Sequence, residues 1–299
     1  MALPALNPAA LPPEAELRSF ARAAAHRPVE RQPRLAGARA VRRRAGVGLQ
    51  HLDHRDYAPG DEVRHIDWRQ TARAGRPIVR RFEAETVSDW TLLVDASASM
   101  ASGGGAKWQA ALRAAAALAY ALLSAGHRVG LLAFGDRVLA QCPRGQGPHH
   151  YAALVRLLQS LQPQGAGGRS EPGVCARHLG GAGSVFTLSD FLAAGEMQRD
   201  LTLLLERSTA LHALQIADDA DTLLGEAGEC ELVDVESGER LPVHAGADAE
   251  AGARAEHAAM SERLHRFCRR SGIACSTWNA ARPWQPALLS HLLRARAGR

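Results

Sequence analysis

The feature that most constrains the fold is an apolar run that stops abruptly on oxygen-bearing side chains. Thr91-Leu92-Leu93-Val94 leads into Asp95-Ala96-Ser97-Ala98-Ser99-Met100, and an alanine-rich stretch follows from residue 106. A short apolar run bounded in this way reads as a buried strand. In open α/β sheets, ligands sit at the carboxyl ends of such strands. Asp95, Ser97 and Ser99 offer three side-chain oxygens without thiol or imidazole, a donor set that suits magnesium, calcium or manganese better than zinc. Ordinary helix capping is the plain alternative, because Ser and Asp are favoured N-caps.

From this point the pattern alternates. Residues 106–125 read as a helix closed by Gly126, 128–134 as a buried strand, and 137–141 as its hairpin partner after Gly135-Asp136. Residues 148–161 read as a helix with Leu154, Leu157, Leu158 and Leu161 on one face, and 162–173 as a glycine-rich loop. A short helix over 174–179 precedes a strand at 184–188 that ends in Ser189-Asp190. Helix 196–207, strand 210–216, helix 249–270, strand 273–277 and helix 286–296 complete the series, with a peripheral hairpin at 230–243. The fold class is therefore α/β, a Rossmann-like, mostly parallel sheet with helices on both faces and short antiparallel edge hairpins. Upstream, 13–26 reads as an amphipathic helix. The charged segment 49–85 contains a Pro59-Gly60 turn that Asp61 caps. Ion pairs among Arg64, Asp67 and Arg69 fold there over Ile66 and Trp68. Residues 77–85 alternate, suggesting a hairpin with 90–95. Three regions result: a basic leader and helix (1–48), a segment packing on the core (49–88) and the α/β domain (89–299).

Charge is uneven. Up to Glu85 there are 16 arginines against 10 acidic residues, whereas the remainder is nearly balanced, and Lys107 is the only lysine. A phosphate-binding surface on the arginine-rich stretch 31–44 is one reading. A solvated face laced with ion pairs is the simpler one. Five cysteines without CxxC spacing argue against a zinc site or a disulfide framework and for reduced thiols in a cytoplasmic protein. The first 13 residues lack the pattern of a signal peptide, and no apolar run approaches the roughly 20 residues of a membrane span.

Parallel neighbouring strands bring three loops to one sheet edge. They carry Asp95, Ser97 and Ser99; Ser170 and Glu171; and Asp190. A small divalent cation would take hydroxyls directly and carboxylates directly or through water, leaving a position for a partner's Asp or Glu. Capping of the following helix accounts equally well for Asp190 alone. Gly103-Gly104-Gly105-Ala106-Lys107 lacks the spacing of a phosphate loop. His149-His150 reads as an exposed helix start, and His51, His54 and His65 as ion-pair members. No His or Cys is placed by sequence to activate Ser97 or Ser99.

Asp95-Ala-Ser97-Ala-Ser99 after an apolar strand resembles the metal-ion-dependent adhesion site of von Willebrand factor A domains. The block from Tyr57 through Pro59-Gly60-Asp61, Arg64, Ile66-Asp67-Trp68 and Ala72-Arg73 to Gly75 resembles a bacterial branch of that superfamily, "domain of unknown function fifty-eight". Ser189-Asp190-Phe191 fits its third metal loop. Residues 218–224, Leu232-Val-Asp234 and Ser237-Gly238 fit its C-terminal portion. The family's second metal loop usually reads Thr-Asp-Leu, where this chain has Ser170-Glu171-Pro172, and serine still supplies a hydroxyl. Many members carry N-terminal transmembrane helices, a feature not seen here.

The resemblance implies a von Willebrand factor A-like fold and a MoxR-type AAA+ ATPase as partner, in protein maturation or remodelling. The expected function is a non-catalytic, metal-dependent interaction module. Asp95, Ser97, Ser99, Ser170 and Asp190 would hold Mg²⁺, with Mn²⁺ or Ca²⁺ as substitutes, and an acidic side chain of the partner would complete the coordination. A Mg²⁺-dependent hydrolase or phosphotransferase, and a nucleic-acid binder using the arginine-rich stretch, are the alternatives.

Overall fold

The computed structural model describes residues 11–25, 51–58, 63, 66–82, 87–181, 183–192, 196–223 and 228–297. The expectations for the arginine-rich stretch, the Pro59-Gly60 turn with Asp61, Arg64 and His65, and the side chains of His51 and His54 lie outside the described residues. The chain divides into two compact units, residues 34–87 and the remainder.

Helix α1 (Glu14–Ala25) belongs to the larger unit. It buries Leu17, Phe20 and Ala24, and the Phe20 ring meets Trp284 edge-on at 5.2 Å. In the smaller unit, β1 (His51–Asp56) pairs antiparallel with β2 (Ile78–Phe82). The short helix α2 (Trp68–Ala74) lies between them in sequence. The expected pairing of 77–85 with 90–95 is therefore wrong. Residues 89–95 already have parallel neighbours on both edges, so no hydrogen-bonding edge is left for a third partner. The apolar anchor expected at Trp68 is also corrected. Trp68 is 66% exposed, and buried Asp67 instead caps α2 by accepting from the N–H groups of Arg69 and Gln70, both at 3.1 Å.

Among the described residues of the larger unit, six strands form one sheet. They are β3 (Asp89–Asp95), β4 (Arg128–Phe134), β5 (Val138–Gly145), β6 (Ser184–Ser189), β7 (Ala210–Ala217) and, after the separate hairpin β8 (Gly228–Val233) and β9 (Arg240–Ala245), β10 (Ala274–Asn279). Their order is β10-β7-β6-β3-β4-β5. All pairs are parallel except β4 with edge strand β5. The helices are α3 (Ala106–Ser124), α4 (Gly147–Ser160), α5 (Met197–Glu206), α6 (Ala247–Ser271) and α7 (Trp284–Ala297).

The two-residue period of the strands sorts their side chains onto two cores. Leu92, Val94, Leu131, Phe186, Leu188, Leu214 and Ile216 pack with α1, α3, α4 and α7. Leu93, Leu132, Phe134, Val185, Leu211 and Ala213 pack with α5, α6 and a 3-10 turn at Pro172–His178. The alanines of α3 are buried along most of its length, which lets its backbone lie close to the sheet. Among the described residues, no helix is long and apolar enough to cross a membrane. The described cysteines are free thiols.

Candidate metal centre

Strand order dictates where a site forms. From β3 the chain moves one way to β4 and β5, then returns across β3 to β6 and β7 on its other side. This reversal creates a switch point between β3 and β6, the place where doubly wound sheets bind ligands beyond their strand ends. Asp95 ends β3, and Ser189-Asp190 ends β6. The glycine-rich loop closes the same edge. Ala98 N–H donates to Gly168 C=O at 2.9 Å, and Gln164 N–H to Ala96 C=O at 2.7 Å.

Asp95 is fully buried, with 0% exposure. Its Oδ1 accepts from Ser97 N–H at 2.8 Å. Its Oδ2 accepts from the hydroxyls of Ser170 at 2.6 Å and Ser189 at 2.5 Å. The Ser97 and Ser99 hydroxyls face each other at 3.1 Å. Burial pushes the Asp95 carboxyl up to about 6, and the Asp190 charge adds to this. The bonds from Ser170, Ser189 and Ser97 pull the other way.

Asp190 is buried beside this carboxyl and holds a different partner. Lys107, 0% exposed, donates from Nζ to Asp190 Oδ2 at 2.8 Å and to Asp221 Oδ1 at 2.6 Å. Burial alone would lower the Lys107 pKa, but attraction to Asp190 and Asp221 more than reverses it, so the ammonium stays charged. Gly103, Gly104 and Gly105, with φ of 62°, 80° and 79°, make the tight left-handed passage that starts α3 and brings Lys107 inward. At Gly103 a Cβ would stand 2.9 Å from the Ala220 Cβ, so the backbone passes close to the 3-10 turn Asp219–Thr222 that carries Asp221. The glycine run therefore serves this close approach.

A fourth carboxyl enters from outside the predicted set. Glu236, in the turn joining β8 to β9, accepts from Ser170 N–H at 3.5 Å through Oε2. Its Oε1 is buried without a hydrogen-bond partner among the described residues. Burial raises this carboxyl to about 7. Ser99 and the Ser170 N–H lower it, while Asp190 and Asp95 raise it further.

All five predicted residues, Asp95, Ser97, Ser99, Ser170 and Asp190, thus meet in one buried cluster. Asp190 is ion-paired within it. Sequence reasoning placed Ser189 in the third loop without giving it a role, and did not assign Lys107, Asp221 or Glu236 to the centre. The available signals were the single lysine in an arginine-rich chain and the Ser189 hydroxyl next to Asp190. His150 lies elsewhere and bonds Val129 C=O at 2.6 Å, while His149 is exposed. Cys175 lies near enough to feel the Asp95 charge, but burial, the larger effect, holds it as a thiol. Among the described residues, no group of three or more His, Cys, Asp or Glu is arranged to hold a metal ion. A cation here would rest mainly on serine hydroxyls, with Asp95 as the principal carboxylate.

A family model described as "Protein of unknown function DUF58" matches residues 53–265. The uncharacterized protein Rv1480 of Mycobacterium tuberculosis is 32% identical over 199 residues, covering 64% of this chain and 62% of that protein. The uncharacterized protein Mb1516 of Mycobacterium bovis matches with the same figures, 32% over 199 residues. This chain therefore spans less than two thirds of the length of these relatives. Among solved structures, the conserved hypothetical protein BatB from Bacteroides thetaiotaomicron is similar at 10% identity and a TM-score of 0.40, covering 70% of this chain and 99% of BatB. An aerotolerance-related membrane protein from Bacteroides fragilis is similar at 11% identity and a TM-score of 0.34, covering 60% and 99% respectively.

Proposed function

This chain belongs to the DUF58 family, and from that premise we propose that it is a non-catalytic, metal-dependent protein-interaction module of von Willebrand factor A-like type. The observation that carries this reading is the cluster at the sheet's switch point, where buried Asp95 accepts from the Ser170 and Ser189 hydroxyls and the Ser97 N–H and the Ser97 and Ser99 hydroxyls pair beside it. This hard-oxygen set fits Mg²⁺, with Mn²⁺ or Ca²⁺ as substitutes. Ser97, Ser99 and Ser170 would hold the ion with Asp95. Asp190, ion-paired to Lys107, would stand behind them. When bound, the ion supplies a positive anchor for an acidic side chain of a partner. Asp95 fixes the Ser170 hydroxyl and Ser97 backbone in place, and the surrounding apolar strands exclude water. The centre's own groups are hydroxyls, carboxyls, a charged lysine and a protonated thiol.

The resemblance of the Tyr57 to Gly75 block and of Ser189-Asp190-Phe191 nominates a MoxR-type AAA+ ATPase as the partner, with this chain as its cytoplasmic adaptor in protein maturation or remodelling. The test uses the full chain. Mn²⁺ titration followed by electron paramagnetic resonance should show one bound ion, lost in Asp95→Ala. Binding to the ATPase should occur in Mg²⁺ and fail in chelator. Absence of bound Mn²⁺ overturns the metal centre, and ATPase binding that ignores chelator overturns its role in docking.

A further inference from the structure

The β8–β9 hairpin is largely solvent-exposed along both strands, yet its turn turns one carboxylate inward. The turn is built to do so. Asp234 accepts from Glu236 N–H at 2.9 Å through Oδ1 and from the Ser237 hydroxyl at 2.7 Å through Oδ2. Gly238, at φ 76°, returns the chain and donates its N–H to Asp234 C=O at 2.8 Å. The turn is also docked. Val235 C=O accepts from Gly167 N–H at 2.8 Å, and Glu236 Oε2 accepts from Ser170 N–H.

These contacts seat Glu236 against the loop that supplies Ser170. Its Oε1 is buried and accepts no hydrogen bond of good geometry among the described residues, which is costly for an acid oxygen. The Ser99 hydroxyl interacts with this carboxyl, and Asp95 and Asp190 lie close enough to repel it. Meanwhile Asp95, Ser97, Ser99, Ser170 and Asp190 are all buried. An acidic side chain arriving from outside therefore meets a centre with no exposed member of this set, and with a carboxylate already beside it.

We infer that Glu236 is the centre's internal carboxylate ligand, and that an acidic side chain of a partner reaches the cation only by displacing the 234–239 turn. The inference rests on the cation-binding reading proposed above and adds a regulation to it. The hairpin competes with the partner for one coordination position, so partner affinity depends on how readily the turn lifts from residues 167–170.

The experiment is Mn²⁺ binding to the full chain and to Glu236→Gln. Affinity is read by electron paramagnetic resonance and inner-sphere water by proton relaxation. Glu236→Gln keeps the backbone donor to Asp234, so the turn survives. The variant should bind Mn²⁺ at least tenfold more weakly and carry one more exchangeable water. Hydrogen–deuterium exchange gives a second readout. Mn²⁺ should slow exchange across residues 165–170 and 234–239 in the wild type and not in the variant. Wild-type affinity, hydration and exchange in Glu236→Gln overturn this inference and leave the cation reading standing. A wild-type chain that binds no Mn²⁺ overturns both.

Discussion

Replacing Lys107 with Met removes the ammonium and keeps an unbranched apolar stem of similar length, so little of the effect comes from a cavity. What remains is electrostatic. Lys107 is the shared cation of Asp190 and Asp221, at 2.8 and 2.6 Å, with all three side chains buried. Removing one partner of a buried ion pair leaves an uncompensated charge and costs about 3–5 kcal/mol. Here two carboxylates lose their partner, and Asp95 already repels Asp190. Lys107→Met should therefore destabilise the folded chain by at least about 3 kcal/mol at pH 7, a fall in melting temperature of roughly 6–20 °C for a domain of this size.

The assay is thermal and urea unfolding in chelator, so that the outcome does not depend on any bound ion. A double-mutant cycle supplies the control. In an Asp221→Asn background only Asp190 loses its partner, so Lys107→Met should cost less there, with a coupling of about 1–3 kcal/mol. A loss below about 1 kcal/mol at pH 7, on the scale of an exposed pair, would refute the view that Lys107 is the charge on which the centre is balanced.

Four further outcomes follow from named contacts. The buried His212 and His291, bonded at 3.2 Å, are held down by burial, His212 to about 4 and His291 well below 6.5 with help from His212. The unfolded chain thus binds more protons than the folded one between these values, and stability should fall as pH drops from about 6.5 to 4, by roughly 3 kcal/mol for His212. A His212→Leu/His291→Leu double variant should lose that slope in pH-dependent melts. Asp95 has the opposite sign. Its carboxyl is raised to about 6, so its contribution is complete below the ordinary carboxylate pKa and is lost as pH rises through about 6. Asp95→Asn should flatten this limb, and a steeper limb in the variant would contradict the burial argument. Ser189→Ala leaves the Phe191 N–H without its 2.9 Å acceptor and removes one of the three donors to Asp95, so urea unfolding should show a loss of about 1–3 kcal/mol. Gly103→Ala forces a side chain into φ 62° and against Ala220, at about 1–3 kcal/mol, and a neutral result would show that the turn gives way.

The sheet was legible because its strands are short, apolar and separated by amphipathic helices, and Asp95 and Asp190 stood out because each breaks an apolar run. Hairpin partners were less legible. Residues 78–82 alternate as an edge strand should, but alternation says nothing about which edge is free, and β3 had none. Trp68 misled for a related reason: a large apolar side chain among charges suggests an anchor, whereas the local requirement was a helix cap at Asp67.

Lys107 and Glu236 show the limit of reading by motif. Both reach the centre from elements whose local sequence satisfies another rule, a glycine-led helix start and a hairpin turn. Their roles depend on groups 83 and 66 positions away. The composition nevertheless held a usable signal. In a chain whose other 35 basic residues are all arginine, a lone lysine marks a place where arginine does not serve. A guanidinium presents a broad planar fork, while an ammonium is a compact charge on a thin stem. Here the compact charge sits with 0% exposure between two carboxylates. Lys107→Arg, which preserves charge, should for that reason recover only part of the stability lost in Lys107→Met. Full recovery would show that charge alone had been selected.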